Sequence, residues 1–212
     1  MLTSYRGVSH ERSVMNSRKR HSSDSRIIRG ADIAFSLTLL LISAIPLLLI
    51  AAIIKMTSDG PVLHWSNRVG RYNRNFMMPK FRTMRIDTPQ VATHLLVRAG
   101  NYLTPVGRFL RKSSLDELPQ LWSILRGDLG FVGPRPALYN QDDLVELRSR
   151  YRIHELVPGV TGWAQINGRD KLSISEKVAF DKEYAEQESA SFDLKILVLT
   201  IFKVFRGAGI SY

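Results

Sequence analysis

The chain moves abruptly between apolar and polar regimes. From Ile33 to Ile54 it runs 22 residues without a charge, IAFSLTLLLISAIPLLLIAAII, about 33 Å as a helix and long enough to cross a hydrocarbon core. The run starts too late and is too long for the apolar part of a cleavable signal. Lys55-Met56-Thr57 follows it where a small-residue cleavage site would stand, so the segment belongs to the mature protein. Pro46 sits in its middle and removes an intrahelical hydrogen bond, which predicts a kink or break. Both flanks are basic, with Arg26 and Arg29 before and Lys55, Arg68, Arg71 and Arg74 after. Positive charge marks the cytoplasmic side of a membrane segment. The pattern therefore fits a re-entrant helix that enters one leaflet, breaks at Pro46 and returns, alongside the plainer reading of a kinked spanning helix.

A second apolar stretch lies between Phe192 and Arg206. Its apolar residues surround Lys195, Lys203 and Arg206, which fall within an arc of roughly 80° at 100° per residue. This is the pattern of a helix lying in the membrane interface, with a core helix of the globular part as the other reading. Between the two apolar segments, residues 60–170 are dense in Gly, Pro and Arg with only short apolar stretches, so long helices are disfavoured and a loop-built site belongs here. A helix from about Ser173 to Glu188 is better defined: Ser173 and Glu176 make a capping box, and Ile174, Val178 and Ala185 share a face. Residues 1–27 are rich in Ser, Arg and His without periodicity and read as a disordered basic tail. The organisation expected is a tail over 1–27, a membrane helix over 28–56, a head over 57–191 and an interfacial helix with the C-terminus over 192–212.

Composition narrows the function. The chain has 212 residues and no cysteine, which removes disulfide scaffolds, cysteine-ligated metals and thiol nucleophiles together. Its net charge is +11, and residues 1–30 hold seven Lys or Arg against two acids. That excess calls for a polyanionic partner: anionic membrane lipids, phosphorylated small molecules or nucleic acid. No aromatic residues interleave with the basic tail and no nucleic-acid motif is present, so no nucleic-acid partner is expected. A non-enzymatic membrane scaffold would account for both apolar segments.

Chemistry concentrates in the middle of the chain. In Arg111-Lys112-Ser113-Ser114-Leu115-Asp116-Glu117-Leu118-Pro119-Gln120-Leu121-Trp122, Leu115, Leu118, Leu121, Trp122 and Leu125 form a helical face. Pro119 suits a first turn, which puts Asp116 and Glu117 at a helix N-terminus. Both carboxylates are expected to be ionised there. The pair is suited to holding a divalent metal, with one carboxylate attacking phosphorus, although Ser114 and Glu117 also fit a capping box. Downstream, Gly133-Pro134-Arg135-Pro136 fixes one arginine between two prolines, a pre-positioned clamp for phosphate. Pro158 to Asp170, PGVTGWAQINGRD, combines turn residues with Trp163, Gln165, Asn167 and Arg169, fit to hold a base or sugar and a phosphate. Lys80 and Arg82 add two cations upstream.

Four ordered blocks, KFRTM at 80–84, SSLDELPQLW at 113–122, GDLGFVGPRP at 127–136 and PGVTGWAQINGRD at 158–170, resemble the small bacterial monotopic phosphoglycosyl transferases, the initiating sugar transferases of polysaccharide, O-antigen and glycoprotein glycan assembly. The resemblance covers roughly residues 27–206. It implies a predominantly α-helical protein with minor β structure: a re-entrant membrane helix broken at a proline, matching Pro46, a compact head at the cytoplasmic face of the bacterial inner membrane, and interfacial amphipathic helices. The family's break usually has serine before the proline, where this chain has Ile45. The implied reaction moves a sugar 1-phosphate from a UDP-sugar to undecaprenyl phosphate, releasing UMP, in two covalent steps with Mg²⁺, in a chain that can oligomerise. By motif, Asp116 is the nucleophile, and Glu117 helps it hold the metal. Lys80, Arg111, Arg135 and Arg169 match the family's active-site cations, with Arg82 and Gln165 as further substrate-binding candidates.

Overall fold

A computed structural model of the chain describes the backbone of residues 5–89, 99–168 and 171–206, and the side chains of 28–89, 100–168 and 171–203. Helices predominate, as expected. Helix α1 covers Tyr5–Thr57, followed by strands β1 (Leu63–Val69) and β2 (Asn75–Phe81) and helix α2 (Gly107–Ser113). A 3-10 turn over Leu115–Gln120 leads into α3 (Leu121–Arg126), β3 (Gly130–Val132), β4 (Ala137–Leu138) and α4 (Asp142–Arg150). The chain closes with β5 (Gly159–Thr161), α5 (Trp163–Asn167), α6 (Ile174–Gln187) and α7 (Ala190–Arg206).

Among the described residues, Ile28–Thr57 is the one stretch of helix long and apolar enough to cross a membrane. Leu41, Ile42, Ile45, Leu48 and Leu49 are exposed on its outer side. Leu39, Leu40, Leu47, Ile50 and Ile54 recur at helical spacing on the other side and pack on the head. The helix continues through Pro46, so of the kink or break that the sequence predicts, the break is absent and a kink within a continuous helix is compatible. The Ser43 hydroxyl donates to the Leu39 carbonyl at 2.5 Å, a back-bond one turn down its own helix of the kind that bends helices slightly. The helix starts at Tyr5, within the stretch that its composition marks as a disordered tail; the side chains of 1–27 lie outside the described residues.

Both ends of this apolar helix are tied to the same head. At its start, the Arg29 guanidinium donates to the carbonyls of Ile124 and Leu125 at the end of α3, where unpaired helix carbonyls favour a cation. Two turns on, the Phe35 and Phe131 rings lie 5.1 Å apart. At its far end, Ile54 is fully buried with Phe81 and Leu110.

The head is built on a β1–β2 hairpin in which His64 faces Lys80 and Arg68 faces Phe76, with β4 added beyond Arg68 and Val69. A second, parallel pair joins β3 to β5. It explains two of the glycines in the motif blocks. A Cβ on Gly133 would lie 2.4 Å from the Val157 carbonyl oxygen, and one on Gly162 only 2.1 Å from that of Gly133, so the two loops press backbone against backbone and no larger residue fits.

The predicted capping box of α6 is present, with Ser173 accepting from the Glu176 amide and Glu176 reaching back to the Ser173 amide. Its buried face is Val178, Asp181 and Tyr184. Helix α7 combines the two readings of its sequence. Phe192 and Ile196 are buried in a cluster with Ile166 and Tyr184, while Leu194, Val198, Ile201 and Phe202 are exposed. Its cations border the head: the Lys195 ammonium stands 5.3 Å from the centre of the Trp163 ring, and Lys203 donates to the Ile166 carbonyl.

Candidate functional site

The site forms where the hairpin, the turn before α3 and the Pro-Arg-Pro loop meet. Because cross-strand partners share a face, His64, Ser66 and Arg68 of β1 lie on the same side as Lys80 of β2. That strand packs against the Leu115–Gln120 turn, which carries the two carboxylates. Helix α2 ends at Ser114, which adopts the left-handed conformation at φ 57°. A 3-10 turn follows instead of the single α-helix that the apolar spacing predicts. With three residues per turn in place of 3.6, the facing positions rotate: Asp116 and Gln120 turn inward while Trp122, expected on the apolar face, is 52% exposed.

Asp116 is 7% exposed. Burial raises its pKa, the neighbouring Glu117 carboxylate adds to the rise, and Lys80, Arg111 and Arg135 oppose it, leaving it at about 6. This corrects the expectation of a carboxylate stabilised by a helix terminus: loss of hydration outweighs any aligned backbone dipole in so short a turn. The capping role open to Glu117 is not realised either, since the Ser114 side chain makes no cap bond. Glu117 instead accepts from the Arg135 guanidinium at 2.7 Å.

Lys80 is buried, and desolvation together with Arg68 and Arg111 lowers its pKa to about 8 against the pull of Asp116 and Glu117. The Arg111 guanidinium donates to the Thr83 hydroxyl at 3.0 Å, which fixes it beside Lys80 and Asp116.

The structure thus brings together Asp116, Glu117, Lys80, Arg111 and Arg135. Arg82 is elsewhere: its guanidinium donates to the carbonyls of Pro61 (2.6 Å) and Ser58 (3.0 Å) and to the Ser58 hydroxyl (2.9 Å). Strand alternation would put Lys80 and Arg82 on one face, but β2 ends at Phe81, so Arg82 lies beyond the pleat and its side chain is free to turn away from the site. Arg82 therefore pins the end of α1. Gln165 has its amide buried with no hydrogen-bond partner among the described residues, against the Gly133–Gly162 contact. Trp163 packs at 5.1 Å on Phe192. Arg169 lies outside the described residues.

One cation of the site was read from the sequence only as a basic flank of the apolar segment and not as a site residue. Arg68 donates to the Ser66 hydroxyl (2.9 Å) and the Pro136 carbonyl (3.2 Å), and burial with Arg135 nearby lowers its pKa to about 10. Its signal was available in principle: Arg68 and Lys80 fall on one face once the hairpin register is known, and nothing local marks that register. Four cations thus surround two carboxylates, a surplus suited to an anionic, phosphate-bearing ligand. Among the described residues no group of three His, Cys, Asp or Glu forms a protein-only metal cage.

Comparison with known proteins agrees with this chemistry. A family model for bacterial sugar transferases matches residues 23–207. The chain is 39% identical over 179 residues to the uncharacterized sugar transferase EpsL of Bacillus subtilis, covering 84% of this chain and 87% of that one. It is 36% identical over 189 residues to the exopolysaccharide production protein ExoY of Rhizobium meliloti, with 82% and 83% covered. It is also 39% identical over 184 residues to the UDP-glucose:undecaprenyl-phosphate glucose-1-phosphate transferase of Escherichia coli, where 84% of this chain aligns to 40% of a much longer protein. With the four motif blocks in order inside the matched region and Lys80, Asp116, Glu117 and Arg135 from three of them meeting at one site, the chain belongs to the bacterial sugar transferase family and is a phosphoglycosyl transferase.

Proposed function

We propose that the chain transfers a sugar 1-phosphate from a UDP-sugar to undecaprenyl phosphate, the first membrane step of a bacterial glycoconjugate such as an exopolysaccharide or O-antigen. The observation that carries this reading is the buried Asp116 beside Glu117, enclosed by Lys80, Arg68, Arg111 and Arg135. An Asp116 carboxylate oxygen attacks the sugar-linked phosphorus, and the bond from that phosphorus to the bridging oxygen breaks. UMP leaves with the electron pair, and the phosphosugar stays on Asp116. A phosphate oxygen of undecaprenyl phosphate then attacks the same phosphorus and expels the Asp116 carboxylate. Neither step requires a proton, so the cation cradle lowers the barrier by matching charge that spreads over phosphate oxygens.

Asp116 and Glu117 also fit Mg²⁺. Two hard oxygen donors are too few for a cage, but Mg²⁺ commonly takes one or two carboxylates and completes its shell with water and substrate phosphates. Bound there, Mg²⁺ would neutralise charge on the diphosphate.

The two ties of α1 support a membrane disposition. A spanning helix would carry a head bound at both Arg29 and Ile54 along the full bilayer thickness, with exposed ion pairs such as Arg85–Asp87 drawn toward hydrocarbon. A re-entrant segment, bent at Pro46 while staying helical, with both flanks and the head on the cytoplasmic face of the inner membrane and the exposed apolar side of α7 in the interface, avoids that cost. Anionic lipids would then meet the basic N-terminal segment.

The test is UMP release and formation of a phosphosugar adduct from a panel of radiolabelled UDP-sugars, with Mg²⁺ and with or without undecaprenyl phosphate. Native protein should form the adduct from donor alone, and Asp116→Asn should form none. Turnover by Asp116→Asn would refute the assignment of the nucleophile, and no turnover of any donor by native protein would refute the function.

A further inference from the structure

Behind the Pro-Arg-Pro loop lies a buried ion pair that no site residue requires directly. Asp181, on the inward face of α6, is 1% exposed. The Arg148 guanidinium of α4 donates to one Asp181 oxygen twice, at 2.9 Å and 2.6 Å, and its remaining nitrogen donates to the backbone carbonyl of Arg135 at 2.8 Å. The chain of contacts runs from Asp181 through Arg148 to the Arg135 backbone, and from the Arg135 guanidinium to Glu117. The same loop is not close-packed from behind: a small cavity lined by Gly70, Pro134, Ala137, Arg148 and His154 adjoins it. Prolines on both sides of Arg135 remove two amides from the loop, so it is anchored through its carbonyls: Pro134 accepts from the Gly159 amide (3.1 Å), Pro136 from Arg68 (3.2 Å), and Arg135 itself from Arg148.

We propose that Arg148, oriented by Asp181, is a positioning residue for the Arg135 clamp: it holds the Pro134–Pro136 backbone at the depth that lets the Arg135 guanidinium meet Glu117 and the donor diphosphate. Three features single out this role from that of a simple helix tie. Helices α4 and α6 already share an apolar cluster through Leu144 and Val178, so they do not need an ion pair to pack. A buried ion pair is a poor source of stability compared with apolar residues of the same volume. And the guanidinium fork is divided, two nitrogens on the carboxylate and one on the loop carbonyl, which an ammonium cannot reproduce.

This inference rests on the transferase reading for its kinetic arm but not for its structural one. The full chain in nanodiscs is compared with the double variant Arg148→Met/Asp181→Leu, which removes both buried charges together, with Arg148→Lys, and with each of these in an Arg135→Ala background. With the fold checked by thermal unfolding, the double variant and Arg148→Lys should each lower kcat for donor cleavage at least tenfold while donor KM moves less than threefold. In the Arg135→Ala background the same changes should cost less than threefold, because the group they position is gone. Hydrogen exchange should rise in the 130–138 segment and not in α6. Should the double variant fail to fold, Arg148→Lys carries the same comparison. Equal fold losses with and without Arg135, rescue by lysine to within threefold, or unchanged exchange at 130–138 in a folded variant would overturn the proposal. If native protein cleaves no UDP-sugar, the function reading fails, while the exchange arm still decides whether Arg148 holds the loop.

Discussion

Replacing Asp116, the proposed nucleophile, should abolish the reaction and strengthen the fold. Asp116 is buried, and its pKa rises from the ordinary 3.8 to about 6 because desolvation and Glu117 outweigh the pull of Lys80, Arg111 and Arg135. A raised carboxylate pKa means that the folded chain holds its proton more tightly than the unfolded chain does. Stability therefore falls as pH rises from about 4 to about 6, and the whole deficit stands at neutral pH. At 1.36 kcal/mol per pKa unit it amounts to about 3 kcal/mol. Asparagine has nearly the same shape and never ionises, so Asp116→Asn should recover most of that, a Tm gain of roughly 6–12 °C for a chain of this size. Thermal unfolding in nanodiscs, followed through Trp65, Trp122 and Trp163, should show the gain at pH 7.5 and little of it at pH 4, where the native carboxyl is also neutral. A variant no more stable than native at pH 7.5, or equally stabilised at both pH values, would refute the claim that an ionised Asp116 is held at a cost for catalysis.

The same electrostatics predict a bell-shaped pH profile for donor kcat/KM: Asp116 reacts as the carboxylate, giving a rising limb near 6, and Lys80 binds phosphate as the ammonium, giving a falling limb near 8. Lys80→Arg should remove the falling limb, and a flat profile from pH 5 to 9 would contradict both roles. Arg82→Gln should lower stability by about 2–3 kcal/mol through loss of charge-assisted bonds to the end of α1, with donor KM within threefold of native. A tenfold rise in KM without a change in Tm would return Arg82 to the substrate site. Because the chain has no cysteine, Gly30→Cys and Met56→Cys report topology directly: both should resist an impermeant thiol reagent applied from the periplasmic side, and labelling of one alone would establish a spanning helix.

Much of the site could be read one-dimensionally because its determinants are local. A proline on each side of Arg135, adjacent carboxylates after Ser114 and the capping box at Ser173 each act within a few residues, and the structure confirms the geometry of the last to the atom. The apolar run over Ile33–Ile54 likewise identifies itself, since only length and absence of charge matter to a membrane. Where the readings diverge, period or partner is at issue. The expected helix face at Leu115–Leu125 rotates because Pro119 and the left-handed Ser114 impose a 3-10 turn. Lys80 and Arg82, two residues apart in one motif, end on different errands.

Residue types and their order along the chain determined the apolar segment, the carboxylate pair and most of the cations of the site, because these properties belong to the side chains themselves. Tertiary structure decided which of them meet. It placed Arg68 beside Arg135 through a strand register set by pairing, gave Glu117 to Arg135 instead of to a helix cap, and raised the Asp116 pKa by excluding water. Burial and long-range pairing are sums over distant parts of the chain, and no local pattern carries them.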